Sequence, residues 1–83
     1  MKTESEIKDF LKQNIAKLLK IDASQLQEDV PLNSHYGLDS LSYLTIGAML
    51  EDQMDLDLNA EFFLKHTTIQ ELAENVARLS REH

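Results

Sequence analysis

A chain of 83 residues without cysteine has room for one small core, and it excludes disulfides and any cysteine-based metal site. Its net charge of −7 is concentrated in residues 21–61, which contain nine acidic residues and no Lys or Arg. Such a surface repels nucleic acid and anionic membranes and attracts basic protein surfaces, so neither nucleic-acid binding nor membrane insertion is expected.

The first part of the chain predicts a helix. Thr3 and Glu6 have the spacing of a capping box at its start. The polar beginning lacks the pattern of a signal peptide, and no apolar run approaches the roughly 18 residues of a membrane span, so a cytoplasmic protein is expected. Apolar residues at helical spacing are expected to face the core, namely Ile7, Phe10, Leu11, Ile15 and Leu18.

Residues 21–39, which read IDASQLQEDVPLNSHYGLD, predict a long loop because they contain the only Pro and one of the two Gly. Loops of this length are uncommon in small domains and are usually functional or disordered. Apolar residues at short intervals indicate that the loop packs on the core, and they are Ile21, Leu26, Val30, Leu32, Tyr36 and Leu38.

A second helix is predicted from Ser40 to Gln53, with Asp39 or Ser40 as its N-cap. It is apolar on two sides, of which only one can face the core of a small bundle, so the other is expected to be an interaction surface. Gly47 is expected to allow another backbone to approach closely. One stripe consists of Tyr43, Ile46, Gly47 and Leu50, and the other of Leu41, Leu44 and Ala48.

The last third of the chain predicts two more helices. A short helix is expected from about Ala60 to Leu64 with Asn59 as its cap. A final helix follows in residues 67–79, where Thr68 and Glu71 form a capping box. Its expected buried stripe is Ile69, Leu72, Ala73, Val76 and Leu79.

The sequence shows no strand pattern and no repeat. The predicted fold is therefore all-α, a small four-helix bundle of three main helices and one short helix, with a long loop between helices 1 and 2. Residues 1–83 are expected to form a single domain.

A hydrolytic site is disfavoured although Ser40, Asp39 and His35 supply the three residue types of a catalytic triad. A nucleophile elbow needs glycine two residues before and after the serine, and Leu38 and Ser42 occupy those positions. No catalytic residue is predicted.

A calcium site is also disfavoured. Asp55, Asp57, Asn59 and Glu61 alternate as at the start of an EF-hand loop, but the sixth and twelfth positions hold alanine and histidine instead of glycine and glutamate. No metal ligand is predicted.

Ser40 has two interpretations that the local sequence leaves open. A serine after aspartate at a helix start is typical of an N-cap. The free amides of a helix N-terminus also favour an anion, so a phosphate ester on Ser40 would be well placed.

The stretch YGLDSLSYLTIGAMLED resembles the modification site of acyl carrier proteins, in which the serine of an Asp-Ser-Leu motif carries 4′-phosphopantetheine. EDVPLNSHYGLDSL resembles the long loop before that site, and LDLNAEFFLKHTTIQELAENV resembles the family's later part. The resemblance covers about residues 4–80. It implies that this protein is not an enzyme but a carrier of acyl groups as thioesters.

By this resemblance a phosphopantetheinyl transferase would use coenzyme A to attach the cofactor to Ser40, and Gly37 would shape the preceding turn. Asp39 and Leu41 would belong to the recognised motif, and Asp39 would help recognition by the transferase. Other expected partners are an acyltransferase, a ketosynthase or a ligase, and the protein is expected to be a monomer. The implied docking residues are Leu41, Leu44, Thr45 and Ala48, with Glu51 and Asp52 as charges at the rim.

Ser42 and Thr45 occupy positions at which fatty-acid carriers often have acidic residues. PLNSHYGLDSL with FFLKHTTIQELA looks closer to carriers of polyketide and mixed polyketide–peptide pathways. A free-standing carrier of specialised-metabolite biosynthesis is therefore expected. The alternatives are a fatty-acid or peptidyl carrier, an unmodified acidic helical module that binds a basic partner, and, third, a hydrolase.

Overall fold

Five α-helices and one short 3₁₀ turn make up the architecture. The structure is a computed structural model that describes residues 3–82, apart from the side chains of residues 60 and 82. Within this range there is no strand, and the predicted all-α fold is confirmed. The helices are α1 (Glu4–Leu19), α2 (Leu32–Tyr36), α3 (Ser40–Met54), α4 (Ala60–Lys65) and α5 (Ile69–Glu82), and the 3₁₀ turn is Ala23–Gln25.

The capping box predicted at the start of α1 is present. The Thr3 hydroxyl accepts a hydrogen bond from the Glu6 amide at 3.2 Å, and the Glu6 carboxylate accepts one from the Thr3 amide at 3.0 Å. These bonds satisfy amides that have no carbonyl partner in the first turn. The predicted core stripe is correct at Ile7 but wrong at Leu18, which lies on the exposed side near the end of the helix.

The connection between α1 and α3 differs from the predicted loop because it contains the 3₁₀ turn and α2. The α2 helix forms around Leu32, which is fully buried and whose amide donates to the Thr67 carbonyl at 2.8 Å. The prediction of a single short helix is therefore wrong, since there are two. Leu26, Leu32 and Leu38 are buried as predicted, whereas Val30 is only half-buried.

Glu28 fastens this connection to both α1 and α5. Its carboxylate forms ion pairs with Lys12 and, at 3.1 Å, with Lys8, and its carbonyl accepts a hydrogen bond from the Gln70 amide at 2.9 Å. Lys8 also donates to the Gln70 side chain at 2.8 Å. The two lysines, Lys12 more than Lys8, lower the pKa of Glu28 from its ordinary value.

Glu28→Gln is expected to lower the free energy of unfolding at pH 7 by about 0.5 kcal/mol, a value reduced for solvent screening. Because the pKa of Glu28 is lower in the folded chain, the ion pairs stabilise the fold above the ordinary carboxyl pKa. This contribution is lost as the pH falls through the folded-state pKa. Urea unfolding at pH 7 and at pH 3 should therefore show a smaller deficit for Glu28→Gln at pH 3 than at pH 7.

Asp29→Asn is the matched control, since Asp29 is the neighbouring exposed acid. A deficit of equal size in Asp29→Asn, or a deficit in Glu28→Gln that is as large at pH 3 as at pH 7, would contradict the role given to Glu28.

The core lies where the long helices meet. The α1 and α5 helices have the most extensive contact, and α3 closes the bundle. The overall extents are 32 × 23 × 20 Å. No helix within residues 3–82 has the length and apolar character needed to cross a membrane. The largest fully buried side chains are Ile7, Leu11, Ile15, Leu32, Ile46, Leu50, Ile69, Leu72 and Val76.

Candidate functional site

The start of α3 is capped by Asp39, not by Ser40. The Asp39 carboxylate accepts a hydrogen bond from the Ser42 amide at 2.9 Å, and its backbone is extended. Hydrogen bonds from the Ser42 amide, and then from the Ser42 hydroxyl, lower the pKa of Asp39 from its ordinary value. Of the two caps considered from the sequence, the structure selects Asp39, and Ser40 becomes the first residue of the helix.

The Ser40 side chain is exposed, and none of the residues in the described range hydrogen-bonds its hydroxyl. The amides of the first helical turn have no carbonyl partners within the helix, and Asp39 engages the amide two residues beyond Ser40. An anion attached at Ser40 would therefore lie at the positive end of a 15-residue helix.

Gly37 turns the chain from α2 into this site. It has φ 74°, and its amide donates to the Asn33 carbonyl at 3.1 Å. A Cβ added at Gly37 would meet no atom within 4 Å, so the left-handed backbone and not space accounts for glycine here. The turn allows Leu38 to enter the core while Asp39 and Ser40 remain on the surface.

An open groove of about 580 Å³ runs between α3 and α4, with Ser40 among its lining residues. Tyr43 and Leu44 line it from α3, and Phe63 and Leu64 line it from α4. Most of the lining side chains from the two helices are apolar. The exposed Ser40 hydroxyl is therefore adjacent to a surface that can hold an apolar group.

Gly47 has a steric role that differs from the predicted one. A Cβ at Gly47 would lie 3.1 Å from Cε2 and 3.2 Å from Cζ of Phe63, so the close approach is made by an aromatic ring and not by a backbone. Phe63 also contacts Tyr43, with 5.5 Å between the ring centroids. These contacts hold α4 against α3 and form the floor of the groove.

Four of the residues predicted for docking lie together on the outer side of α3. Leu41 is 70% exposed and Leu44 is 64% exposed, and Ala48 and Asp52 are also exposed. Thr45 is half-buried, and its hydroxyl donates to the Leu41 carbonyl at 3.0 Å.

Glu51 has a different environment from the exposed rim charge expected from the sequence. It is half-buried, and its carboxylate accepts a hydrogen bond from the Leu58 amide at 2.8 Å. Glu51 therefore fixes the connection between α3 and α4.

The sequence interpretation did not identify Leu64, which is 79% exposed on α4. A signal was present, because a six-residue helix with three consecutive apolar residues, Phe62, Phe63 and Leu64, cannot bury all of them. Which residue faces outward is set by the packing of Phe63 on Gly47.

Three residues of the EF-hand-like pattern, Asn59, Glu61 and Asp55, cap, pair within or end a helix. The Asn59 side chain accepts from the Phe62 amide at 3.0 Å and caps α4, and Glu61 pairs with Lys65 at 3.2 Å. Asp55 ends α3 in a left-handed conformation. In the part of the chain that the structure describes, no three His, Cys, Asp or Glu side chains form a group that could hold a metal ion.

Comparison with known proteins identifies the family. A family model described as "Phosphopantetheine attachment site" matches residues 9–76. Polyketide synthase PksN of Bacillus subtilis is 34% identical over 67 residues, and a non-reducing polyketide synthase of Cladonia grayi is 38% identical over 72 residues. These matches cover 81% and 84% of this chain, which spans only 1% and 3% of the two relatives.

A solved structure with the same fold is a free-standing peptidyl carrier protein from an uncharacterised secondary metabolic pathway of Acinetobacter baumannii. The TM-score is 0.84 with 26% sequence identity, and the match covers 98% of each chain. The chain therefore belongs to the phosphopantetheine attachment family, whose carrier proteins hold 4′-phosphopantetheine and shuttle substrates without catalysing a reaction themselves.

Proposed function

We propose that this protein carries acyl intermediates as thioesters on a 4′-phosphopantetheine arm attached to Ser40, in the biosynthesis of polyketides or related specialised metabolites. The observation that carries the proposal is the exposed Ser40 hydroxyl, which has no hydrogen-bond partner in the described range and lies beside the apolar groove. The similarity to polyketide synthases supports the choice of pathway.

Attachment joins the Ser40 hydroxyl oxygen to the phosphate next to pantetheine. The pyrophosphate bond of coenzyme A breaks, adenosine 3′,5′-bisphosphate leaves and the serine proton is lost. The resulting phosphodiester carries one negative charge, which the free amides at the start of α3 stabilise. Asp39 is proposed to support recognition by the transferase, since it is exposed and directly precedes Ser40.

The arm supplies the thiol that the cysteine-free chain lacks. The groove beside Ser40 can receive the apolar part of the arm or of its cargo. The proposed partners are a phosphopantetheinyl transferase, which is expected to have a basic contact surface, and the enzymes that load and transfer the acyl group. This role also supports the cytoplasmic location expected from the sequence, because modification draws on coenzyme A.

A fatty-acid carrier or a peptidyl carrier is the alternative. Ser42 and Thr45 disfavour a fatty-acid carrier because they stand where such carriers often have acids. The similarity in structure to a peptidyl carrier keeps a mixed polyketide–peptide pathway within the proposal. An intact mass of the protein isolated from its native host would identify the cargo and separate these pathways.

Incubation with coenzyme A and a broad-specificity phosphopantetheinyl transferase tests the carrier function. The intact mass is expected to increase by one phosphopantetheine group. With acyl-coenzyme A in place of coenzyme A, the adduct should carry the acyl group and lose it to hydroxylamine, as a thioester does. A reaction without transferase is the control, and an unchanged mass in the complete reaction would contradict the proposed function.

A further inference from the structure

We propose that the Tyr43 hydroxyl donates a hydrogen bond to a carbonyl oxygen of the phosphopantetheine arm and so holds the arm in the groove between α3 and α4. This inference rests on the proposed attachment at Ser40. Within the described residues, the Tyr43 hydroxyl oxygen is buried and has no hydrogen-bond partner. A buried polar group without a partner is rare in folded proteins and costs free energy, which a partner gained on modification would recover.

The Tyr43 hydroxyl keeps its proton and is therefore a hydrogen-bond donor. Burial raises the pKa of Tyr43 from its ordinary value, and the nearby Asn33 backbone lowers it by less. The Asn33 backbone is thus a neighbour of the hydroxyl, although the two do not meet the geometry of a hydrogen bond. A neutral phenol with an unused proton binds an acceptor, and a carbonyl oxygen is the usual acceptor away from water.

The hydroxyl lies close to the point where the arm is attached. Tyr43 follows Ser40 by three residues, so the two side chains share one side of α3 and are about 4.5 Å apart along its axis. Both residues line the groove, as does Asn33 beside the hydroxyl. To meet the arm, the Tyr43 ring has to turn slightly toward the open volume of about 580 Å³.

The part of the arm next to the phosphate has the chemistry that this wall of the groove can hold. It contains two methyl groups on one carbon, followed by a hydroxyl and an amide carbonyl. Leu44 and Phe63 supply apolar surface for the methyl groups, and Tyr43 supplies a donor for the carbonyl. The cargo is bonded to the far end of the arm, and the phosphate stays at the exposed Ser40. The acceptor that fits is therefore the first amide carbonyl.

Thermal unfolding of Tyr43→Phe, with and without phosphopantetheine, tests this contact. Without the arm, the variant is expected to melt at or above the wild-type Tm, because it loses only a hydroxyl that has no partner. Modification should raise the Tm of the wild type by about 4 °C more than that of Tyr43→Phe, as one additional hydrogen bond in a small domain predicts.

Tyr36→Phe is the matched control, because the Tyr36 hydroxyl already has partners. It accepts a hydrogen bond from the Gln27 amide at 2.8 Å and donates to the Gln25 carbonyl at 3.4 Å. The Tyr36→Phe variant should therefore lose stability equally in both forms, so that its gain in Tm on modification equals that of the wild type. In the modified wild type, NMR should also show contacts between the methyl groups of the arm and the Phe63 ring.

The outcomes separate this inference from the proposed function. If the wild type takes no phosphopantetheine, the proposed function fails and the role of Tyr43 fails with it. If the wild type is modified and Tyr43→Phe gains as much in Tm, only the role of Tyr43 is overturned. A difference that appears only after an acyl group is loaded would assign the bond to the cargo, and a changed ³¹P shift in Tyr43→Phe would assign it to the phosphate. Either result overturns the bond to the arm carbonyl.

Discussion

Ser40→Ala is expected to abolish phosphopantetheine transfer completely, whereas Ser42→Ala is expected to be modified at close to the wild-type rate. Alanine removes the only oxygen to which the phosphate could be joined at residue 40. Ser42 lies two residues away and is half-buried, and its amide donates to the Asp39 carboxylate at 2.9 Å. The two serines therefore differ in how accessible they are to the transferase, although both lie in the first turn of α3.

Intact mass measurement followed by peptide mapping checks this expectation. The fold of Ser40→Ala should be unchanged, since Asp39 caps the helix and the Ser40 hydroxyl has no partner in the described range. A melting temperature equal to that of the wild type would show this. An adduct that persists in Ser40→Ala, or one that maps to residue 42, would contradict the assignment of Ser40.

Phe63→Ala is expected to lower the free energy of unfolding by about 3 kcal/mol, a large part of the stability of a small domain. The ring is 7% exposed and packs on Gly47 and Tyr43, so its removal leaves a cavity between α3 and α4. Chemical denaturation gives the size of the loss. Phe62→Ala is the matched control, because Phe62 is only half-buried and should lose less.

A double-mutant cycle with Gly47→Ala isolates the contact. In the wild type, a Cβ at residue 47 would lie 3.1 Å from the ring, which must shift to accept it. Once Phe63 is alanine, the methyl group has space and the gain in helix propensity, about 1 kcal/mol, is realised. A coupling energy of about 1 kcal/mol is expected, and strictly additive effects would contradict the proposed ring contact.

The helices α1, α3, α4 and α5 were predictable because their sequence signals lie within a few residues of one another. Thr3 and Glu6 identify the start of α1 by a contact across three residues, and the Asn59 cap identifies α4 in the same way. The stripe containing Ile46 and Leu50 follows from helical periodicity alone. These features depend on local hydrogen bonds and on the burial of one helix face, and both can be predicted from the pattern of nearby residues in a single sequence.

Other features depend on contacts between distant residues. The five-residue α2 helix has no side-chain cap and relies on the bond from Leu32 to Thr67, which no local pattern encodes. Glu51 is of a residue type that is usually exposed, and only the fold brings the Leu58 amide to its carboxylate. The outward position of Leu64 likewise follows from which neighbouring phenylalanine occupies the core.

The hydrogen bonds that hold the α1–α3 connection in place also affect the motion of any group attached at Ser40. The Glu28 carbonyl accepts from the Gln70 amide in the first turn of α5, and the Leu32 amide donates to the Thr67 carbonyl just before that helix. The chain entering α3 is therefore tied to a second helix. A flexible arm attached there would pivot about a nearly fixed point, and its reach could not exceed its own contour length. For a carrier of the proposed kind, delivery to successive enzymes would then require reorientation of the whole protein, and the order of visits would depend on which enzyme binds its surface.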